Sequence, residues 1–221
     1  IRLGEIKKLG KEIKCDHALA EALWSGATCN GRLLACLIFD TAKLDSAALA
    51  RMADELLTHD LAQSNQIADW LLANQLMKSA RTRRLITTWQ HAPSDVLRRL
   101  FWYHEARLRC TGQKSPDNTE ALLEHIEKDL ANESSQVQWA MNFCAGWIGI
   151  YNPDLRERCI RLGEALGLYR DVPVRKNCTP DYLPEFIRIE VAKREAASVD
   201  DKMAQCAETF GKLPQYTEKL K

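Results

Sequence analysis

The stretch that decides the fold is QVQWAMNFCAGWIGIYNPDLRERCIRLGEALGLYRDVPVRKNCTPDYLPEFI, residues 136–187. From Gln136 to Ile150 apolar residues recur every three or four positions, which predicts a helix that packs on two sides. The packing lines are Val137, Met141, Cys144 and Ile148, with Ala140, Phe143 and Trp147 beside them. A third line is small or polar and predicts a helix face that lines a surface and admits a bulky partner: Gln138, Asn142, Ala145 and Gly149.

The same stretch predicts two helices joined by a short corner. Pro153 suits the first turn of a helix, where a missing amide hydrogen costs little, and Gly167 suits the position after a helix end. Start signals recur at intervals of 30, 33, 39 and 35 residues, at Asp16, Ser46, Ser79, Asn118 and Pro153. A near-regular helix-pair period is typical of an α-solenoid, so we predict an all-α stack of about five helix pairs.

The composition favours an ordinary intracellular globular protein. Hydrophobic residues make up 46% of the chain and charged residues 28%. No window approaches the roughly 18 continuous apolar residues of a membrane helix, and the chain opens without a signal-peptide pattern. The eight cysteines form no CxxC pair, which favours buried thiols over zinc or disulfide roles. We therefore predict a cytoplasmic location and no metal, cofactor or membrane partner.

Charge is distributed unevenly along the chain, although the formal net charge is only +1. Residues 81–109 carry seven Arg against two acids, whereas residues 113–134 carry six acids against two lysines. A net charge near zero argues against a strongly electrostatic nucleic-acid binder. A basic patch beside an acidic one is one interpretation of this pattern, and separately solvated helix faces are the other.

Several segments resemble the AlkD-type DNA alkylation repair family, and more narrowly a divergent branch of it. They are LAEALW (19–24), GRLLACLIFD (31–40), VQWAMNF (137–143), LRERCIRLGEALGLYRD (155–171) and KNCTP (176–180). The resemblance runs from Ile1 to about Arg194. It implies a domain of HEAT-like helical repeats over residues 1–195, with a C-terminal helix and tail at 196–221. It also implies double-stranded DNA, with or without alkylated bases, as the partner held on a concave surface.

The resemblance also implies a candidate catalytic carboxylate. In the family, a helix-borne Asp lies near the deoxyribose of an alkylated nucleotide, where it stabilises the positive charge that develops as the purine leaves. Counting back from Trp89 places Asp69 at this position, whereas counting forward from Asp40 places Gln63 there. The first register is preferred because it keeps a carboxylate, on the small-polar line Ala62, Gln66, Asp69 and Ala73. The Trp that precedes the family's Asp is lost in either register.

Two of the three active-site features depart from the family pattern. Besides the lost Trp, VQWA corresponds to the family segment that carries a DNA-contacting Arg, so Gln138 replaces that Arg without adding charge. These departures argue against glycosylase activity. For Asp69 a structural role, paired with a neighbouring Arg, is the alternative to catalysis.

The predicted DNA contacts come from the small-polar lines and from basic segments. They are Gln66, Gln138, Asn142, Arg98, Trp102, Arg109, Arg175 and Lys176. For Trp102 the alternative is packing on the adjacent repeat, with its arginines directed outward. We predict a DNA-binding protein with doubtful glycosylase activity. The alternatives are an active N-glycosylase that releases N3- or N7-alkylated purines, and a protein-binding HEAT-like scaffold.

Overall fold

The protein is an all-helical stack. The structure, a computed structural model, describes residues 2–110, 116–176 and 178–211, with side chains up to residue 197. These residues contain three short 3-10 turns, no strand and eleven α-helices. The helices are α1 (Leu3–Ile13), α2 (His17–Ser25), α3 (Cys29–Ile38), α4 (Ser46–Leu56), α5 (Leu61–Asn74), α6 (Ala80–Ile86), α7 (Asp95–Arg109), α8 (Thr119–Asp129), α9 (Ser135–Tyr151), α10 (Pro153–Leu166) and α11 (Leu183–Gly211).

The helices form two layers, because the second helix of each pair packs on the second helix of the next. One layer consists of α3, α5, α7, α9 and α11, each in contact with its successor. The other consists of α2, α4, α6, α8 and α10, which pack on the first layer, and α1 packs on α3. A continuous apolar core lies between the layers. The predicted all-α stack of five helix pairs is confirmed.

Local capping explains why the pair starts were predictable from the sequence. The side chains of Asp16 and Ser79 each accept a hydrogen bond from the backbone amide three residues on, which satisfies an otherwise unpaired donor in the first turn. Pro153 occupies the first turn of α10. The second pair begins at Ser46 as predicted, but the capping side chain is Asp45, one residue earlier.

Three of the four residues on the small-polar line of α9 are buried and Gln138 is half-buried, which corrects the prediction that this line lies on an open surface. The side-chain amide of Asn142 is buried and donates to the backbone carbonyl of Asp181 at 2.8 Å. A Cβ on Gly149 would lie 2.7 Å from the Ile187 side chain of α11. The bulky partner that this line admits is therefore the last helix of the same chain.

Helix α11 runs without interruption through the domain boundary expected near residue 195. Residues 111–115 and the end of the predicted tail, residues 212–221, lie outside the described residues.

The cysteines are unbridged where the structure describes their side chains. Burial raises the pKa of Cys144 and of Cys159 to about 12, and it also raises the pKa of Cys36. These three thiols therefore behave as small core hydrophobes, as expected. Cys15 and Cys178 are exposed instead.

Candidate nucleic-acid interface

A cleft of about 780 Å³ lies between α1, α5 and α7. Its floor is the small-polar line of α5 that the sequence identified, and α5 contributes most of its residues. The lining is Ala62, Gln63, Asn65, Gln66, Asp69, Trp70, Ala73 and Asn74 from α5, Lys7 from α1, and Tyr103 and Arg107 from α7. A small-residue floor leaves room for a ligand, and the surrounding amides offer hydrogen bonds to it.

Asp69 is the carboxylate of this cleft, and it is partly open to solvent. Its side chain is 26% exposed, and both of its oxygens accept from Nη2 of Arg99, at 3.0 and 3.1 Å. Burial raises the pKa of Asp69 above its ordinary value, although the charges of Arg99 and Arg107 oppose this shift. The carboxylate is held in place by an arginine while remaining within reach of a ligand.

Arg99 ties three successive repeats together at one point. Its side chain is only 4% exposed, and Nη1 donates to the backbone carbonyl of Gln136 on α9 at 3.0 Å. Its guanidinium carbon also lies 4.8 Å from the ring centroid of Trp139 and 5.9 Å from that of Tyr103. With Asp69 on α5, these contacts fix the guanidinium between α5, α7 and α9.

Arg99 was not among the predicted site residues. It nevertheless comes from a repeat after that of Asp69 and lies directly beside the Asp69 carboxylate. The resemblance to the family assigned that position to Gln138, whose side-chain amide instead donates to the carbonyl of Leu130 at 3.0 Å. Gln138 therefore supports the corner between α8 and α9. Arg99 follows Asp69 by 30 residues, about one repeat, so the repeat period itself was the signal that could have found it.

Two further cations border the cleft. Nζ of Lys7 lies 5.4 Å from the ring centroid of Trp70, and Nε of Arg107 lies 3.2 Å from the Met77 sulfur. The Arg107 guanidinium also lies 5.8 Å from the Tyr103 ring centroid. Within the described part of the chain, no carboxylate forms an ion pair with Lys7 or Arg107. Because Arg99 balances Asp69, the cleft carries a positive charge and suits an anion such as phosphate.

Both registers of the catalytic segment fall in the same cleft. Gln63 and Gln66 line it together with Asp69, and the Gln63 amide oxygen lies 3.1 Å from Nδ1 of His59. Only the Asp69 register brings a carboxylate into the cleft.

Three predicted DNA contacts are buried and are therefore corrected: Asn142, described above, Trp102 and Arg109. Trp102 and Arg109 are both 0% exposed. Trp102 stacks on His125, with ring centroids 5.5 Å apart. Arg109 donates to Glu105 at 2.8 Å and to Asn118 at 2.7 Å. Neither side chain presents a surface to a phosphate. Trp102 packs on the adjacent repeat, as the alternative predicted, but Arg109 is buried and not directed outward.

The remaining predicted basic residues differ in their environments. Arg98 donates to Asp95 at 2.6 Å and to Glu133 at 3.0 Å, so its charge is balanced within the protein. Arg175 and Lys176 are exposed in the connection between α10 and α11. Neither residue lines the cleft.

A row of aromatic side chains runs along α9 and starts next to the cleft. We call it the α9 aromatic ladder: Trp139, Phe143, Trp147 and Tyr151. Successive ring centroids are 5.1, 5.7 and 6.0 Å apart, and all four side chains are partly exposed. Tyr103 of the cleft lies 5.9 Å from the rings of Trp139 and Phe143, which joins the two features.

The ladder was missed because the sequence analysis assigned Phe143 and Trp147 to core packing. Its signal is an aromatic residue at every fourth position, a spacing that keeps all four on one helix face. Among the described residues, no cluster of three or more His, Cys, Asp or Glu side chains is placed to bind a metal ion. The described helices also include none that is long and apolar enough to cross a bilayer.

Comparison with known proteins gives two matches. The family model described as "DNA alkylation repair enzyme" matches residues 1–162. Among solved structures, the chain is similar to one described as "A new family of proteins related to the HEAT-like repeat DNA glycosylases with affinity for branched DNA structures". That match has a TM-score of 0.66 and 17% identity, and it covers 89% of this chain and 81% of that chain. Such identity shows the shared fold alone. No curated protein matches.

Proposed function

The chain belongs to the DNA alkylation repair enzyme family, and from that premise we propose that it binds double-stranded DNA along the cleft between α1, α5 and α7. The cytoplasmic location expected from the sequence is compatible with this ligand. The solved relative is described as having affinity for branched DNA. We therefore extend the proposal to duplex DNA that carries a branch point.

The charges around the cleft support phosphate binding. Lys7 is exposed, and Arg107 is partly exposed on the α7 side of the cleft. Phosphate contacts supply most of the affinity of a protein for DNA regardless of sequence. Gln66 can add neutral hydrogen bonds to the backbone or to base edges. With few cations and a net charge of only +1, we expect modest affinity that depends on these particular side chains.

The observation that carries the proposal is the partly open Asp69–Arg99 pair between two unpaired cations. Elsewhere on α7, Arg98 and Arg109 are balanced by carboxylates that point away from the cleft. The cleft therefore combines space, cations and a reachable carboxylate in one place.

Binding of a blunt duplex, followed by fluorescence anisotropy over a range of KCl concentrations, tests this function. Affinity should fall with salt, and Lys7→Gln or Arg107→Gln should each lower the log–log slope by about one. Arg161→Gln is the matched control, because that side chain is 64% exposed on α10, in the other helix layer. An affinity indifferent to salt would remove the proposal and leave the protein-binding scaffold.

A second candidate is N-glycosylase activity on N3- or N7-alkylated purines, favoured by the position of Asp69 beside Arg99. The bond between C1′ and the cationic purine breaks, the purine leaves with the bonding electrons, and water adds to C1′ and loses a proton. The Asp69 carboxylate would stabilise the developing positive charge on the sugar. The lost Trp of the family pattern is the feature that opposes this candidate.

Release of 7-methylguanine from methylated duplex tests the second candidate separately. Activity that is abolished in Asp69→Asn, while duplex binding persists, would establish it. Release at the background level from the unaltered protein would eliminate the glycosylase and leave DNA binding unaffected.

A further inference from the structure

The α9 aromatic ladder has a spacing that does not match duplex DNA. Its members are four residues apart on a helix, so successive rings are separated by about 6 Å along the axis. Bases on one strand of B-form DNA are about 3.4 Å apart. A strand can follow the ladder only where its bases are unstacked and drawn apart, as in a single-stranded segment.

The flat faces of the ladder rings are largely covered within the protein. Trp139 and Phe143 are nearly parallel, with an interplanar angle of 13°, and Trp147 and Tyr151 are inclined by only 16°. The guanidinium of Arg194 lies 5.0 Å from the Trp147 ring centroid and 5.3 Å from that of Tyr151. Phe143 and Trp147 instead meet edge to face at 87°, so the ladder consists of two stacked pairs. Within each pair one face of each ring is covered, and because all four side chains are partly exposed, the ring rims remain available to a ligand.

Ring rims are complementary to the faces of unpaired bases. An aromatic rim carries a positive partial charge and a face a negative one, so rim-to-face contacts are favourable. In a duplex the base faces are covered by neighbouring base pairs. They are open in a single-stranded arm or at a branch point, which gives the ladder a physical basis for selecting unpaired nucleotides.

We propose that the α9 aromatic ladder binds the unpaired nucleotides of a single-stranded arm that continues from a duplex held in the cleft. This inference rests on the proposed DNA-binding function and names the part of the DNA that the ladder recognises. Tyr103 makes the path continuous, since it lines the cleft and contacts the first two rings of the ladder.

The far end of the ladder carries a net positive charge. Lys193 and Arg194 both pair with Glu190, at 2.8 and 2.6 Å, so two cations share one carboxylate. Nε of Arg194 also donates to the Tyr151 hydroxyl at 2.9 Å, which fixes the last ring. A strand that leaves the ladder at Tyr151 therefore meets a cation suited to its phosphate.

The middle of the ladder is held rigid by α11. The ring of Phe186 lies 5.7 Å from that of Phe143 and 5.6 Å from that of Trp147. Phe186 itself is only 8% exposed, so it supports the ladder without competing for the ligand. Rings already fixed in position lose little conformational freedom when a strand binds.

The test compares a blunt duplex with the same duplex carrying an oligothymidylate arm. For the unaltered protein, the arm should raise affinity about fivefold or more. Trp147→Leu and Tyr151→Leu should each reduce that gain while leaving blunt-duplex affinity unchanged, because neither residue lines the cleft. Trp70→Leu is the matched control in the cleft, because it should change duplex affinity while the gain from the arm persists.

Two outcomes would overturn the proposal: an arm that adds nothing to the affinity of the unaltered protein, or a gain that survives in the Trp147→Leu/Tyr151→Leu double variant. Duplex binding that persists in either case would leave the proposed function intact, whereas no binding to either DNA would overturn both. Quenching of tryptophan emission by oligothymidylate is an independent measurement that needs no variant. Unchanged emission at saturating oligothymidylate would count against the ladder.

Discussion

Arg99 and Arg109 lie on the same helix, both are almost fully buried, and each pairs with a carboxylate. Arg109 pairs with Glu105 one turn earlier on α7, and the two side chains are 0% and 4% exposed. Arg99 pairs with Asp69 of the preceding repeat, and that carboxylate is 26% exposed. The pair formed by Arg109 and Glu105 is therefore closed to solvent, whereas the pair formed by Arg99 and Asp69 is open to the cleft.

The difference shows that the exposure of the partner distinguishes a structural pair from a candidate site. Arg109 also donates to Asn118 and Thr119, so its hydrogen bonds lie inside the protein and join α7 to the start of α8. The buried guanidinium of Arg99 bonds to protein groups such as the Gln136 carbonyl, whereas its partner Asp69 lines the cleft. A buried cation that fixes a reachable carboxylate prepares that carboxylate for a ligand.

The largest expected effect is on the closed pair. Arg109→Met should lower the free energy of unfolding by about 3–5 kcal/mol, because it leaves the buried Glu105 charge without its main partner. Urea unfolding followed by circular dichroism measures this loss. The double variant Arg109→Met/Glu105→Leu should recover most of it, and a loss below about 1 kcal/mol for the single variant would show that water reaches Glu105 after all.

Glu190 extends the comparison to a half-buried carboxylate that pairs with the exposed Lys193 and the partly exposed Arg194. Burial alone would raise its pKa, but hydrogen bonds from Arg194, Lys193 and Thr179 lower the pKa of Glu190 from 4.5 to about 2. The carboxylate side chain is 14% exposed. A lowered pKa contributes stability that is fully present above the unfolded value and is lost as pH falls through the folded value.

Glu190→Gln should therefore cost about 3 kcal/mol of unfolding free energy near pH 6 and progressively less between pH 4.5 and 2. Urea unfolding of both proteins across this range measures the difference. Added salt should reduce the effect of Glu190→Gln more than that of Arg109→Met, because salt screens exposed charges far more than buried ones. A difference that is constant with pH would contradict the assigned ionisation.

Removing the cation of the open pair should cost less than removing that of the closed pair. Arg99→Met should lower the free energy of unfolding by about 1–3 kcal/mol, because water can solvate the partly exposed Asp69 once its partner is gone. Losing the arginine should also raise the pKa of Asp69 further, which carboxyl-carbon NMR detects. A stability loss equal to that of Arg109→Met would erase the distinction between the two pairs.

The pair starts were predictable from the sequence because capping is local. Asp16 and Ser79 bond amides three residues away, so the signal and its effect lie within one turn. The open line of α5 was predictable for a related reason, since small and polar residues cannot contribute to a core.

The face that α9 turns to solvent was not predictable, because it depends on a distant part of the chain. Its small line is covered by α11, where Phe186 packs against Gly146 and Ile187 against Gly149. The aromatic line is then left at the surface, the reverse of what hydrophobicity alone predicts. Arg99 was missed for a similar reason: its role depends on Asp69, which lies one repeat earlier.

The smallest effect in the series tests whether the open carboxylate faces DNA. Asp69→Asn removes a negative charge from the cleft, so duplex affinity at pH 7 should rise about two- to fivefold. Asp54→Asn is the matched control, because Asp54 is an exposed carboxylate on α4 that does not line the cleft. Fluorescence anisotropy with one duplex measures all three proteins.

The pH dependence of duplex affinity shows whether the ionised Asp69 carboxylate opposes DNA binding. Because burial raises the pKa of Asp69, the carboxylate takes up its proton at a higher pH than an ordinary Asp, and the protonated form repels phosphate less. Affinity of the unaltered protein should therefore rise as pH falls from 7 toward 5, by more than it does in Asp69→Asn. Histidine titration affects both proteins alike and cancels in the ratio. Parallel curves would mean that bound DNA does not approach Asp69, and the open pair would then be as structural as the closed one.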